Sequence, residues 1–293
     1  MRVSRPRVAV VGHVEWVQFA RVPHAPHAGE VVNGSDLFEE PAGGGAVAAV
    51  QLANLAGEAV LITALGDDEL GRRSMARLRE LGVEVFAAQR SSGTRRALTL
   101  VDETGERTIT TLGPRLEPMG DDEGLPWGVL AEMDAVYFTA GDLGALRAAR
   151  AARVLVASPR AGEALGLGVA LDALVLSGDD EGERLQAARA QDEAELVLYT
   201  EGERGGAYRT RTGESGRWGP AHPPAHPPDA APAKGAEAGD SYGCGDSFAA
   251  GLTYALGAGE ALPAALALAA RCGAACLTGR GPYERQLTKG SGG

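Results

Sequence analysis

The sequence predicts an α/β domain built around a mostly parallel sheet. Short continuous apolar runs recur along the chain, each about one strand long and each ended by a turn residue. Stretches of helical periodicity alternate with those runs. Two pieces, about 13–41 and 89–112, interrupt the alternation with strand-forming residues and no helical pattern. Core segments 1–12, 42–88 and 113–293 thus enclose two insertions that can join as a small separate sheet.

The elements follow in order. Val8–Val11 is apolar throughout and stops at Gly12, as a strand buried on both faces does. Residues from Val14 to Phe38 alternate loosely around Pro23, Pro26 and Gly29 and predict short antiparallel strands. The breaker cluster at 41–45 leads into a helix over Ala46–Leu55 with Gly57 as its cap. Val60–Leu65 is a second buried strand, Gly71–Leu81 a helix stopped by Gly82, and Val83–Ala88 a third strand. Ala97–Val101 and Arg107–Leu112 form a hairpin around Asp102–Gly105. Strands then fall at Ala135–Thr139, Val154–Ala157, Ala173–Leu176 and Leu196–Thr200. Helices fall near Leu143–Arg150, Ala161–Leu165 and Gly182–Arg189. Proline density makes residues 219–239 an extended segment. Ala261–Leu277 reads as a packed helix, and the tail from Lys289 as disordered.

Composition narrows the function. The formal net charge of −11 argues against broad nucleic-acid binding, which needs neutralised phosphates. It does not prevent anion binding by a local nest of backbone amides. The three cysteines are an odd count, with Cys272 and Cys276 four apart in a helical pattern. They suit a reduced, cytoplasmic setting and small buried roles better than a disulfide framework or a metal site. Prolines between His222 and His226 keep that pair off a shared helix face, so they read as a solvated loop. The apolar run near the N-terminus is too short for a signal h-region. The 261–277 stretch contains Pro263 and Arg271, so no membrane span is expected.

The chemistry concentrates in Asp240–Phe248, D-S-Y-G-C-G-D-S-F, which runs directly into a helix of small residues. A glycine-rich turn at a helix start presents unpaired N–H groups and the positive end of the helix dipole. Asp246 has two readings on local physics alone. It caps the helix, or it faces a substrate hydroxyl and takes its proton during phosphoryl transfer. No G-x-x-x-x-G-K-[ST] pattern is present, and Gly43–Gly45 lack the spacing of a dinucleotide fingerprint.

These residues resemble the ribokinase-like, PfkB-type carbohydrate kinases, whose C-terminal signature is D-T-x-G-A-G-D-S-F. Further similar stretches are P-A-G-G-G-A-V-A-A-V-Q-L-A-N-L-A-G at 41–57, A-L-G-D-D-E-L-G at 64–71, T-L-V-D-E-T-G-E-R-T at 99–108 and Y-T-E-G-E-R-G-G-A-Y at 199–208. The resemblance implies a three-layer α/β/α fold with a mostly parallel central sheet and a small β-sheet lid. It also implies transfer of the ATP γ-phosphate to a hydroxyl of a small-molecule acceptor, with Mg²⁺. Asp246 would be the base, and Gly243, Cys244 and Gly245 would form the anion hole with it. Glu15, Gly43, Gly44 and Asp67 would meet the acceptor. Thr200, Glu201, Gly202, Gly205, Cys272 and Gly279 would lie along the nucleotide. A monovalent cation near Asp240 and a homodimer through the lid are also compatible with the family.

Departures qualify the acceptor. Val17 stands where a sugar-binding Asp is usual, leaving Glu15 as the nearby carboxylate. The metal-organising N-x-x-E appears only as Ser177–Asp180, with Asp180 as the metal candidate. The D-x-N-x-R pattern is reduced to A-S-P-R at 157–160. The expected activity is therefore a kinase for a sugar, polyol or sugar derivative other than plain ribose or fructose. A nucleoside kinase, with Trp16 and Phe19 in its acceptor pocket, and a ligand-binding or regulatory member with little turnover are the alternatives.

Overall fold

The computed structural model describes residues 5–223 and 239–288. The expectations for His226, for most of the proline-rich segment and for the tail lie outside the described residues. In chain order the elements are β1 (Val8–Val11), β2 (Glu15–Arg21), β3 (Ser35–Ala42), α1 (Gly44–Ala56), β4 (Ala59–Gly66), α2 (Glu69–Glu80), β5 (Val83–Arg90), β6 (Arg96–Val101) and β7 (Arg107–Leu112). Then come β8 (Ala135–Phe138), α3 (Leu143–Ala149), β9 (Val154–Ala157), β10 (Leu171–Ser177), α4 (Glu181–Ala187), β11 (Ala194–Thr200), β12 (Gly206–Thr210), β13 (Ser215–Trp218), α5 (Cys244–Gly257) and α6 (Leu262–Leu277).

Among the described residues, nine strands form one sheet in the order β13-β12-β11-β10-β9-β8-β1-β4-β5. All neighbours from β11 to β5 run parallel, while β12 and β13 close the far edge as an antiparallel hairpin. Val8 and Val10 pack with residues of α1, α5 and α6 on one face. Ala9 and Val11 pack with residues of α3 on the other. Helices on both faces are why the strand reads as an unbroken apolar run. Small side chains let α5 and α6 approach closely, and a Cβ on Gly251 would lie 2.8 Å from the Cys272 sulfur.

A second sheet has the order β3-β2-β6-β7. β2 pairs antiparallel with β3 and parallel with β6, and β6 pairs antiparallel with β7. Both interrupting pieces of the sequence thus contribute to one small sheet. Val17, Phe19 and Ala97 of its inner face join Ala42, Val47 and Tyr242 in a shared apolar cluster.

Two local expectations change. The segment expected to be helical at Ala161–Leu165 is a 3-10 stretch over Pro159–Ala164, interrupted by Gly162 at φ 61°. The proline starts the turn and the glycine's backbone stops an α-helix from propagating. The edge hairpin β12–β13 was not anticipated. Its strands are short and half-exposed, and so lack an apolar signature.

Candidate active site

Asp240–Phe248 is shaped from both sides. Asp240 is buried and accepts hydrogen bonds from the amides of Tyr242 (2.9 Å) and Gly281 (2.6 Å). Burial nevertheless pushes its carboxyl above the usual range. Tyr242 in turn accepts from the Gly43 amide through its hydroxyl, at 3.1 Å, joining this turn to the start of α1. Gly243 occupies the left-handed region at φ 82°, and a Cβ there would lie 2.9 Å from Val47. Glycine is required for both reasons. No side chain caps α5, so its first amides face outward without an intrahelical partner.

Asp246 lies in the first turn of α5 and points away from it. A Cβ on Gly44 would stand 3.0 Å from Asp246 Oδ1 and 3.1 Å from Thr139 Oγ1, so the two helix starts meet at this carboxylate. Arg160 Nη1 lies 3.7 Å from Asp246 Oδ2. The guanidinium is held from behind by Glu183 at 2.8 Å, which also accepts the Ser177 amide at 2.8 Å. Burial raises the Asp246 carboxyl above the usual carboxylate range, and Arg160 draws it partly back. The neighbouring Tyr137 hydroxyl also draws it down, to a smaller extent.

The loop after β1 supplies the opposite wall. His13 and Glu15 are buried, and a Cβ on Gly43 would lie 3.0 Å from the His13 ring and 3.3 Å from Glu15 Cγ. The Gly44 amide points at His13 Nε2 at 3.4 Å. Burial, with Arg115, Arg160 and Arg95 nearby, lowers the His13 pKa and keeps the ring neutral. Glu15 faces Arg95 at 3.5 Å, and burial raises its carboxyl despite that neighbour. Glu15, Gly43, Gly44 and Asp246 therefore converge.

Other expected residues lie elsewhere. Asp67 has a side chain 78% exposed and pairs loosely with Arg72. Its neighbour Asp68 does the structural work, accepting from Gly71, Thr94 N and Thr94 Oγ1. Cys272 is enclosed between α5 and α6, against Gly251. The Gly279 carbonyl accepts the Asp240 amide at 3.3 Å. Thr200, Glu201, Gly202 and Gly205 line the loop from β11 to β12, at the carboxyl end of the parallel strands. Gly205 abuts the Trp218 carbonyl, and Trp218 borders a cavity of about 520 Å³ also lined by Gly219, His222, Leu266, Ala270 and Arg271. Asp180 caps α4 by accepting the Glu183 amide and remains exposed. Among the described residues there is no cluster of three or more potential metal ligands, and no helix is long and apolar enough to cross a membrane.

Arg160, Glu183, Tyr137, Arg95 and Arg115 were not singled out from the sequence. Arg160 had two available signals: it ends the A-S-P-R stretch at 157–160, and it lies just beyond the carboxyl end of β9, where α/β folds place ligand-binding side chains.

Known proteins resemble this chain over most of its length. A ribokinase of Dictyostelium discoideum is 31% identical over 108 residues, 36% of this chain and 34% of that protein, so the chain spans only about a third of that relative's length. The ribokinase structure from Giardia lamblia superposes with a TM-score of 0.76 at 19% identity, covering 98% of this chain and 97% of that one. Arabidopsis thaliana ribokinase complexed with ribose and ATP gives 0.67 at 17% identity, with 96% of each chain covered. At such identities these structures establish the ribokinase-like fold. The family model for the pfkB family carbohydrate kinases matches residues 5–158 and 171–289, which carry both the Gly43–Gly44 helix start and the Asp246 turn, and the chain belongs to that family.

Proposed function

We propose that the protein is an ATP-dependent kinase that phosphorylates a hydroxyl of a sugar, polyol or sugar derivative. The observation that carries this reading is Asp246. It is a buried carboxylate in the first turn of an uncapped helix, turned toward Gly44 instead of capping. Burial raises its pKa above that of a solvated carboxylate and makes it the stronger proton acceptor that a general base requires.

In this mechanism the acceptor lies between Gly43–Gly44, Glu15 and Asp246, and Asp246 accepts the proton of the attacking hydroxyl. The amides of Gly243, Cys244, Gly245 and Asp246 stabilise the negative charge that develops on the transferring group. The cavity beside Trp218 is within the usual size range of ligand pockets and suits the base end of the nucleotide. Asp180 would hold Mg²⁺, because it adjoins the Thr200 loop through the Asp179–Arg204 ion pair. One carboxylate with substrate phosphates is a common Mg²⁺ arrangement, and the bound ion supplies charge neutralisation there. The small sheet acts as a lid over the acceptor. A cytoplasmic setting fits an active-site turn containing a free thiol at Cys244.

A carbohydrate is favoured over a nucleoside because the local aromatic rings are already engaged. Phe19 stacks on Phe38 and meets Tyr242 edge-on, and Arg73 covers Trp16. The altered Ser177–Asp180 motif supports a second reading, a regulatory member with little turnover. A screen of sugars, polyols and nucleosides separates the readings, using ADP release and thermal shift with a non-hydrolysable ATP analogue. Turnover of a carbohydrate is expected. Mg-ATP binding with no product from any acceptor would favour the regulatory member.

A further inference from the structure

The turn that starts α5 gathers two thiols that the proposed mechanism leaves unused. Cys244 is the first residue of α5, and Cys276 lies in the last turn of α6. These helix ends touch: a Cβ on Gly273, three residues before Cys276, would stand 3.2 Å from the Cys244 carbonyl oxygen. Both sulfurs turn into the same bend. Cys244 Sγ lies 3.9 Å from the Asp240 carbonyl oxygen, and Cys276 Sγ 3.4 Å from that of Tyr242. Cys276 Sγ is also 3.6 Å from the Cβ position of Gly243, the residue before Cys244. Both cysteines are free thiols; Cys276 is buried and Cys244 half-exposed. Cys272 lies apart, since it packs against Gly251, about 10 Å further along α5.

The bend has little room to move. Gly243 sits at φ 82°, with Val47 and Pro282 at 2.9 and 3.3 Å from its Cβ position. Asp240 is held by the amides of Tyr242 and Gly281. A covalent bond would draw the two sulfurs well inside their non-bonded contact. Cys244 would then shift toward α6, carrying its amide out of the proposed anion hole. The Cys276 thiol and burial hold the Cys244 thiol well above its ordinary value, with Arg107 opposing them. Exchange at this pair is therefore slow, unlike that of a low-pKa catalytic cysteine.

We propose that Cys244 and Cys276 form a reversible disulfide that distorts the phosphate-binding turn when a small-molecule disulfide serves as oxidant. The Cys244 thiolate attacks one sulfur of that oxidant, forming a mixed disulfide and releasing the other half as a thiolate. The Cys276 thiolate then attacks the Cys244 sulfur and expels the second half. Two protein thiols are oxidised, the small disulfide is reduced to two thiols, and the two cysteine protons pass to the departing thiolates. The cross-link itself is independent of the kinase reading; its effect on turnover rests on that reading.

The test incubates the full-length protein for hours with oxidised glutathione. The denatured protein is expected to fall from three free thiols to one, to carry no glutathione, and to yield a Cys244–Cys276 linked peptide on digestion. kcat is expected to fall at least ~10-fold and to return with dithiothreitol, and the thermal shift with a non-hydrolysable ATP analogue to shrink alongside. Cys276→Ala is expected to keep its activity before oxidation and afterwards to retain one glutathione on Cys244, because the resolving thiol is gone. Three free thiols after incubation, a glutathione adduct on the wild-type protein or a link through Cys272 overturns the pairing. A complete Cys244–Cys276 link with kcat and thermal shift undiminished overturns the effect on the turn. If no acceptor is phosphorylated, the kinase reading fails separately, and the thiol count, linked peptide and thermal shift still decide this proposal. They also decide it if the variant does not fold.

Discussion

Asp246→Asn removes a proton acceptor while keeping nearly the same shape. Asn fits the space against Gly44, and Arg160 keeps its 2.8 Å contact with Glu183. The loss should therefore fall on chemistry. A positioned general base contributes about 10²–10⁴-fold, or roughly 3–5 kcal/mol of transition-state stabilisation at about 1.36 kcal/mol per decade. Stability should move the other way. Burial raises the folded-state pKa of Asp246 above its unfolded value, so the native state binds the proton more tightly. The stability linked to that proton is fully present below the unfolded pKa and is lost as pH rises through the folded pKa. Above the folded-state pKa the ionised, buried carboxylate costs stability that Asn does not. The assay is ADP release under saturating acceptor, with KM for ATP and Tm measured alongside. The expected result is kcat lowered by about 10²–10⁴-fold, KM for ATP within about threefold and Tm equal or higher. Activity within about threefold of wild type would refute the base assignment. A collapse of Tm together with activity would show that the carboxylate is structural.

Three further outcomes follow from the same geometry. In the pH profile of kcat/KM, the acidic limb should lie above the ordinary carboxylate range. Arg160→Gln should move it higher still, because the cation that draws Asp246 down is gone; an unmoved limb would detach Arg160 from the base. Gly44→Ala places a methyl 3.0 Å from Asp246 Oδ1 and should lower kcat at least ~10-fold while the thermal shift with an ATP analogue is kept. Arg280→Ala breaks a bidentate pair with Asp36 and a stack on Phe38, tying the small sheet to the core. Both partners are about a third exposed, so the stability loss should be no more than about 1 kcal/mol. A clear rise in acceptor KM with little change in Tm would support the lid role, and an unchanged KM would count against it.

Much of the fold was legible because it depends on local requirements. Val8–Val11 and Val60–Leu65 must be buried on both faces, so their composition announces parallel strands. Helix boundaries near Gly43, Asp68 and Gly243 follow from backbone needs that few residues satisfy. The β12–β13 hairpin was silent for the opposite reason: half-exposed edge strands need no apolar pattern.

The sequence by itself determined the α/β core, the inserted strands and the glycine turn, since each is written in neighbouring residues. It left Asp246 equally readable as a cap or a base. Only the tertiary structure decided which way that carboxylate points, because the answer depends on what stands opposite it. Gly44, His13, Arg160 and Glu183 come from four separate chain segments. His13, Arg160 and Glu183 meet because the parallel order of β1, β8, β9 and β10 gathers the segments after their carboxyl ends on one edge, opposite the start of α5, and Gly44 arrives there from β3 of the small sheet. A side chain's role at such an edge is set by distances across the sheet, and no local spacing encodes them.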